Sequence, residues 1–188
     1  MAIITVTGAS GTTLPVTVVG TANLALALDY ATAINNLRGH DLYGPSVSGA
    51  STIPDGMSSV FISSNTIQTS LVANHPVTVM AGQGGTSLIA AQAGGVFIAG
   101  GGDNSFFAPT VGGGDWQVAT GGGNDNITAG SGNDVIYPGA GTNRVSLGTG
   151  NDTVFLGGLD DTLVGGSGNV VIGNLGSSAH IYGGTGST

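Results

Sequence analysis

The stretch that decides the fold runs from Ala119 to Ile181 and reads ATGGGNDNI, TAGSGNDVI, YPGAGTNRV, SLGTGNDTV, FLGGLDDTL, VGGSGNVVI and GNLGSSAHI. These are seven consecutive nonapeptides without a gap, and YGGTGST (182–188) begins an eighth. Glycine occupies the third position in six of the seven repeats, and the last position is apolar in all of them. The apolar positions are Ile127, Ile136, Val145, Val154, Leu163, Ile172 and Ile181.

A nine-residue unit of this kind is too short for a pair of helices and fits half a turn of a parallel β-solenoid. Each unit would form a tight glycine-rich loop and then a short strand whose apolar residue points inward. Two units make one coil, and coils stack at the ~4.8 Å spacing of β-strands. The sequence therefore predicts two columns of polar residues, one of Asp125, Asn143 and Asp161, the other of Asp134 and Asp152 continuing to Val170.

Stacked carboxylates repel one another unless a cation neutralises them, and Ca²⁺ suits such loops because it takes 6–8 oxygen ligands. Aspartate side chains and loop carbonyls would supply these oxygens. Only the interval between Asp134 and Asp152 has an aspartate on both sides, so we expect one strong site there and weaker sites elsewhere. The predicted ligands are Asp125, Asp134, Asn143, Asp152 and Asp161, with loop carbonyls near Gly121, Gly123, Gly130, Gly132, Gly148 and Gly150.

The segments GGGNDNI (121–127), GSGNDVI (130–136) and GTGNDTV (148–154) resemble the repeats of the RTX (hemolysin-type) family of calcium-binding β-roll proteins. The resemblance covers residues 119–188 well. It extends loosely over 81–118 through the glycine runs before Asp103 and Asp115, which it adds to the predicted calcium ligands. Val170, Ala179 and Thr188 stand at the aspartate position, so calcium binding is expected to fade toward the C-terminus.

The resemblance also implies secretion through a type I exporter and a chain that folds only in extracellular calcium. The first residues, Met1 to Thr7, show neither a basic segment nor a long apolar one, so they do not form a cleavable signal peptide. No apolar run approaches the ~20 residues of a membrane span, so membrane insertion is not expected. The predicted location is secreted, either extracellular or on the cell surface.

The N-terminal part differs in composition from the repeats. Residues 1–20 predict strands and turns, and residues 22–38 predict a helix capped by Thr21 and ended by Gly39. We divide the chain into an N-terminal strand/helix cap (1–50), a degenerate β-solenoid (51–118) and an RTX-like calcium-binding β-roll (119–188). The predicted fold is thus mainly β: a right-handed parallel β-roll or β-solenoid with a small N-terminal strand-plus-helix unit.

The composition excludes several classes of protein. Of 188 residues, 37 are glycine and only two are basic, with a formal net charge of -8. Two arginines cannot neutralise a phosphate backbone, so nucleic acid is not an expected partner. Cysteine is absent, so no disulfide framework or thiolate metal site can form.

No residue pattern indicates an enzyme. The chain has no Glu for a zinc-protease motif and no G-x-S-x-G segment. His40, His75 and His180 are scattered and lack partners at metal-ligand spacing, which favours ordinary structural positions.

The aromatic residues have a structural interpretation and a binding one. Phe106, Phe107 and Trp116 are expected in the core or at an end cap rather than in a sugar platform. Tyr137, Phe155 and Tyr182 each follow an apolar repeat position, so they are expected to line one face.

Two functions remain open at this point. The first is a secreted, calcium-dependent structural protein of the cell surface, extracellular matrix or biofilm that self-assembles head-to-tail into fibres. The second is a calcium-dependent adhesion or ligand-binding module, with a surface carbohydrate or ice as the ligand. The regular threonine or asparagine array of an ice-binding surface is missing, since Gly-Thr-Gly-Asn-Asp occurs once, at 148–152.

Overall fold

The computed structural model describes residues 2–7, 13–18, 28, 41–44, 50–53, 59–62, 69–91, 94–173 and 178–187. These residues form eighteen β-strands in three sheets. Apart from Leu28, the helix predicted over 22–38 lies outside the described residues, as do its predicted caps and His40. Within the described part of the chain, no helix has the length and apolar character needed to cross a membrane.

The first sheet has two antiparallel strands, and the β-branched residues of the N-terminus predict strands in this segment. Strand β1 (Ala2–Thr7) pairs with β2 (Thr13–Val18), with Ile4 opposite Val16.

Two parallel eight-stranded sheets build the rest, and successive strands alternate between them. We call them the odd sheet and the even sheet. This alternation is that of a parallel β-solenoid, which confirms the predicted fold class. The odd sheet contains β3 (Asp41–Gly44), β5 (Ser59–Ile62), β7 (Val77–Ala81), β9 (Gly95–Ile98), β11 (Trp116–Ala119), β13 (Val135–Gly139), β15 (Asp152–Leu156) and β17 (Val170–Gly173). The even sheet contains β4 (Ala50–Thr52), β6 (Thr69–Ala73), β8 (Thr86–Ala90), β10 (Ser105–Phe107), β12 (Asn126–Thr128), β14 (Arg144–Ser146), β16 (Leu159–Val164) and β18 (Ser178–Tyr182). Strand β3 already belongs to the solenoid although it lies inside the segment predicted as the cap.

The repeat positions of the even sheet stack as the nine-residue period predicts. Ile127 pairs with Val145, Val145 with Leu163, and Leu163 with Ile181, so each step along the sheet is two nonapeptides. The first three are buried between the two sheets, where Leu163 is 1% exposed. Ile181 occupies the same inward position on the last coil and is 42% exposed. The core therefore runs along the solenoid axis and opens at its C-terminal end.

The upstream coils vary in length. Phe97 lies two nonapeptides after its partner Val79, as the period predicts. Val118, the next partner of Phe97, lies further along the chain than two nonapeptides. The sequence interval between Phe106 and its partner Ile127 exceeds two nonapeptides by the same number of residues. Loops of the upstream coils absorb the additional residues while the strands keep their register, which is why these coils lack a nonapeptide pattern.

Three aromatic rings fill the upstream core. Phe97 stacks on Phe106 with ring centroids 5.9 Å apart, and Phe106 meets Trp116 edge to face at 5.1 Å. All three are buried, which confirms the core interpretation for Phe106 and Trp116. Phe107 is the next residue on β10, so it points to the opposite side of the sheet and is 48% exposed.

The prediction that Tyr137, Phe155 and Tyr182 share one face is wrong for Tyr182. Tyr137 and Phe155 lie on adjacent strands of the odd sheet and stack with centroids 4.7 Å apart and planes 3° apart. Tyr182 lies on β18 of the even sheet, in register with Val164. The period of nine places successive repeats on alternate sheets, and Tyr182 is separated from Phe155 by three repeats rather than two.

Candidate metal centre

One polar side chain per coil stands just before the strands of the even sheet. In this column, column A, the backbone N–H of Asn104 donates to Oδ1 of Asp125 at 2.7 Å. The N–H of Asp125 donates to Oδ1 of Asn143, and that of Asn143 to Oδ1 of Asp161, both at 2.9 Å. Each side chain is buried and fixed by the backbone of the preceding coil, so Asp125, Asn143 and Asp161 form the column that the sequence predicts.

A second buried column, column B, stands at the odd sheet. The N–H of Trp116 donates to Oδ1 of Asp134 at 2.8 Å, and the N–H of Asp134 donates to Oδ1 of Asp152 at 3.0 Å. Val170 follows Asp152 in register and offers no side-chain acceptor, so the N–H of Asp152 donates to the carbonyl of Asn169 instead. Column B thus has the predicted membership and loses its side-chain ladder at Val170.

Three buried carboxylate oxygens of the described residues have no hydrogen-bond partner. They are Oδ2 of Asp125, Asp134 and Asp152, whose Oδ1 atoms are all engaged in the ladders. An unpaired buried polar atom costs about 1–3 kcal/mol, and more when it carries charge. These three aspartates are those of the segments GGGNDNI, GSGNDVI and GTGNDTV. Cations bound at these oxygens, separately in the two columns, would remove this cost.

Burial shifts the titration of the same three groups. It raises the pKa of Asp134 to about 7, and the charges of Asp152 and Asp115 raise it as well, against the Trp116 hydrogen bond. Burial raises the pKa of Asp125 to about 6, with hydrogen bonds opposing and the charge of Asp103 contributing. The pKa of Asp152 is also raised by burial. Without a bound cation, the folded chain therefore destabilises the charged form of these carboxylates, most strongly at Asp134.

Asp161 and Asn143 differ from these three residues because the protein itself satisfies them. Oδ1 of Asp161 accepts from the backbone N and from Nδ2 of Asn143, and Oδ2 accepts from the N–H of Gly158 at 2.9 Å. Oδ1 of Asn143 is likewise occupied, by the N–H of Asp125. The structure thus places both predicted ligands in column A as parts of its hydrogen-bond ladder.

Asp103 and Asp115 lie in neighbouring, exposed columns rather than in columns A and B. Oδ1 of Asp103 accepts from the N–H of Asn124 at 2.8 Å, and Oδ1 of Asp115 from that of Asn133 at 2.7 Å. Both carboxylates are at the surface, each close enough to a buried aspartate to raise its pKa. They bring negative charge to the sites without belonging to the buried columns.

Asn104 is the member of column A that the sequence analysis missed. It is buried, accepts the N–H of Thr86 at 2.9 Å, and donates from its backbone N and from Nδ2 to Oδ1 of Asp125. Asn104 stands two residues before the inward-facing Phe106, the spacing that marks the aspartates of the repeats. The same two-residue spacing, applied to the sequence upstream of the repeats, identifies Asn104.

The predicted carbonyl ligands fall into two groups. The carbonyl oxygens of Gly130 and Gly148 accept the N–H groups of Thr149 and Ser167, both at 2.9 Å. That of Gly121 accepts the N–H of Ala140 in the same way. Each keeps a second lone pair. Among the described residues we find no protein donor to the carbonyl oxygens of the remaining three, Gly123, Gly132 and Gly150.

Glycine is required where these loops stack. Gly150 has φ 131°, a conformation that side chains rarely adopt, and a Cβ there would overlap the carbonyl oxygen of Gly132 one coil earlier. The close stacking of glycines thus holds successive loop carbonyls near one another.

The donor set fits Ca²⁺. In the part of the chain that the structure describes, no group of three or more His or Asp side chains is placed to hold a metal ion. A site must therefore combine the unpaired oxygens of Asp125, Asp134 or Asp152 with loop carbonyls. Such all-oxygen sets suit Ca²⁺, whereas zinc and copper favour nitrogen or sulfur ligands. Of the two histidines that the structure describes, His180 is exposed and His75 lies far upstream of the repeats, so neither adds a ligand here.

Comparison with known families agrees with this geometry. The family model of the RTX calcium-binding nonapeptide repeat matches residues 119–154 and 155–172 in four copies, less than a third of the chain. Repeats of this family bind Ca²⁺. No curated protein and no solved structure gives a significant match to the chain.

Proposed function

Because residues 119–172 are RTX calcium-binding nonapeptide repeats, which typify type I secreted proteins, we propose that this chain is a secreted structural protein of the cell surface or extracellular matrix. Calcium bound at Asp125, Asp134 and Asp152 stabilises the β-roll, and folded copies stack end to end into fibres. β-Rolls of this kind are typically non-catalytic modules, in line with a structural role.

The observation that carries the proposal is the exposure of Ile181, an inward repeat position on β18. Among the strands that the structure describes, β17 and β18 each pair with a neighbour on one side only. Ile181 is 42% exposed where its equivalent Leu163 is 1% exposed, and Val171 is also exposed. An unpaired strand edge beside apolar surface is a template for a further strand.

The other end of the same sheets supplies matching strands. Within the described part of the chain, β3 and β4 are the first strands of the odd and even sheets, and each pairs with one strand. All strands of a sheet are parallel, so β3 and β4 of a second copy can continue β17 and β18 with the direction preserved. A contact between two different ends does not close on itself and produces a filament.

Negative-stain electron microscopy and sedimentation velocity, with calcium and with chelator, test the proposal. We expect filaments with calcium and none with chelator. Ile181→Lys places a charge at the stacking end, where it is half-exposed in the single chain, and should abolish filaments. Val111→Lys is the control, since Val111 is 82% exposed in a loop away from either end. Monodisperse single copies at high calcium and high concentration would contradict the proposal, and carbohydrate binding by such copies would support an adhesion module instead.

A further inference from the structure

The outer surface of the even sheet carries one continuous column of side chains, one from each strand. Backbone register links every member to the next. We call this column the even face. Its members are Thr52, Val72, Ile89, Phe107, Thr128, Ser146, Val164 and Tyr182.

The even face combines large apolar or aromatic side chains with the small hydroxyl side chains of Thr52, Thr128 and Ser146, and none of its members is charged. Ile89, Phe107 and Tyr182 are exposed on it. The adjoining outward column includes, in register, Ser87, Ser105, Asn126, Arg144, Thr162 and His180, so Arg144 is the only formal charge at these positions. In a chain with net charge -8, none of the described aspartates belongs to these two columns, and the exposed Asp160 stands at an irregularity near the start of β16. Outward residues of the odd sheet such as Met80, Ile98 and Ala119 are, by contrast, buried.

We propose that the even face docks against the even face of a second copy, with the two solenoids antiparallel. The two-fold axis lies between the sheets, parallel to the strands, and passes between β10 and β12. Each strand then faces the strand equally far from the other end, so β10 faces β12 and β8 faces β14 of the partner. This contact is lateral and separate from the end-to-end stacking proposed above.

Side-chain size supports the antiparallel arrangement. It places Phe107 against Thr128 of the second copy and Ile89 against Ser146. At the ends it places Tyr182 against Thr52. In these three pairs a large side chain meets a small one, which is how two packed faces interdigitate, and the fourth pair brings Val72 against Val164.

Charge supports the same arrangement. In the antiparallel dimer Arg144 faces the serine of β8, Ser87, and the two copies of Arg144 are several strands apart. This separation avoids like-charge repulsion between the two arginines.

The size of the face sets the strength of the contact. Seven strand spacings of ~4.8 Å give a length of about 34 Å, and strands of three to six residues give a width of about 10–20 Å. Both copies together would bury on the order of 700–1,400 Å², a range that only just reaches the lower limit of specific interfaces, about 1,200 Å². We therefore expect a weak, concentration-dependent dimer.

Disulfide cross-linking tests the geometry directly, because the chain has no cysteine of its own. The double variant Ile89→Cys/Ser146→Cys should form a covalent dimer on oxidation in calcium. Within one chain the two positions are three strand spacings apart, about 14 Å, beyond the reach of a disulfide. Ile89→Cys alone should not cross-link, since the two copies of residue 89 do not meet. Equal cross-linking of the single variant, or none by the double variant, would overturn the proposal.

Sedimentation of charge variants separates this contact from the end-to-end one. Ile89→Lys should shift the dimer to monomer, and Ile89→Lys/Ser146→Asp should restore it by pairing the new charges across the interface. Val111→Lys is the control, and circular dichroism verifies that each variant is folded. Ile181→Lys should remove filaments and leave the lateral dimer intact, so failure of one proposal is distinguishable from failure of the other. A wild-type chain that stays monomeric at hundred-micromolar concentration would refute the lateral contact.

Discussion

The backbone N–H of Asp134 donates to Oδ1 of Asp152 at 3.0 Å, while Oδ2 of both side chains is buried without a partner. One oxygen of each carboxylate is thus used to hold the coil in register, and the other is left for a ligand. These coils differ from the rest of the ladder because one oxygen of the aspartate is hydrogen-bonded and the other is not.

Asp134→Asn should therefore weaken calcium binding without weakening the calcium-free fold. The asparagine keeps Oδ1 as acceptor for the N–H of Trp116. It also removes the charge of a buried carboxyl group whose pKa is raised. We expect calcium affinity to fall at least tenfold by isothermal calorimetry, with the melting temperature in chelator at pH 8 unchanged or higher. A variant that binds calcium like the wild type would show that Asp134 is not a ligand.

Asp161→Asn should behave in the opposite way. Both oxygens of Asp161 accept protein hydrogen bonds, and an amide nitrogen at either position would face an N–H group. We expect a loss of about 1–3 kcal/mol in the free energy of unfolding, with and without calcium. Urea unfolding in both conditions measures it, and Asp134→Asn serves as the matched comparison. A loss confined to the calcium-bound state would identify Asp161 as a ligand instead.

The calcium-free protein should become less stable as pH rises from about 4 to about 7. The pKa values of Asp125 and Asp134 are raised in the folded state, so the native state binds more protons than the unfolded state within this window. Stability from these groups is fully present below the unfolded pKa and is lost as pH passes the folded values. Each unit of pKa difference corresponds to about 1.4 kcal/mol.

Saturating calcium should reverse this trend, because protons and calcium compete for the same oxygens. Melting curves between pH 4 and pH 8, in chelator and in calcium, measure both slopes. Parallel curves in the two conditions would exclude the buried aspartates as the site of binding.

Gly150→Ala should disrupt the roll, whereas Gly122→Ala should not. A Cβ on Gly150 would overlap the carbonyl of Gly132 at a φ of 131°, whereas a Cβ on Gly122 meets nothing within 4 Å. Strain at such a φ costs about 1–3 kcal/mol even before the overlap is counted. Thermal unfolding in calcium compares the two variants, and equal melting temperatures would contradict the stacking described here.

Leu163 and Ile181 occupy the same inward position on two successive coils, and only Leu163 is buried. Leu163→Ala and Ile181→Ala therefore compare a buried with a partly exposed position. Deleting the buried Leu163 side chain should cost about 2–5 kcal/mol, and deleting that of Ile181 clearly less. Urea unfolding of dilute, monomeric protein measures the difference. Equal losses there would show that the C-terminal coil is covered rather than open.

The period of nine was sufficient to predict the solenoid and the pairing of Asp134 with Asp152, because strand spacing allows few other ways to stack such short units. The assignment of Asp103 and Asp115 as calcium ligands stays a prediction, and the structure places both residues in exposed columns beside the buried ones. The longer upstream coils have longer loops, and a glycine run there does not mark the aspartate position. The Gly158 hydrogen bond of Asp161 was also beyond prediction, since it depends on Asp160 adopting a φ of 61°.

The regular register of Ile127, Val145 and Leu163, two nonapeptides at each step, makes the length of this molecule adjustable by evolution. Duplicating two nonapeptides inside the repeats would extend the rod by one strand spacing and leave both columns and both faces unchanged. Duplicating a single nonapeptide would move every downstream strand to the other sheet and every downstream aspartate to the other column. Gene duplication in steps of whole coils is thus the neutral route by which such a chain grows or shrinks.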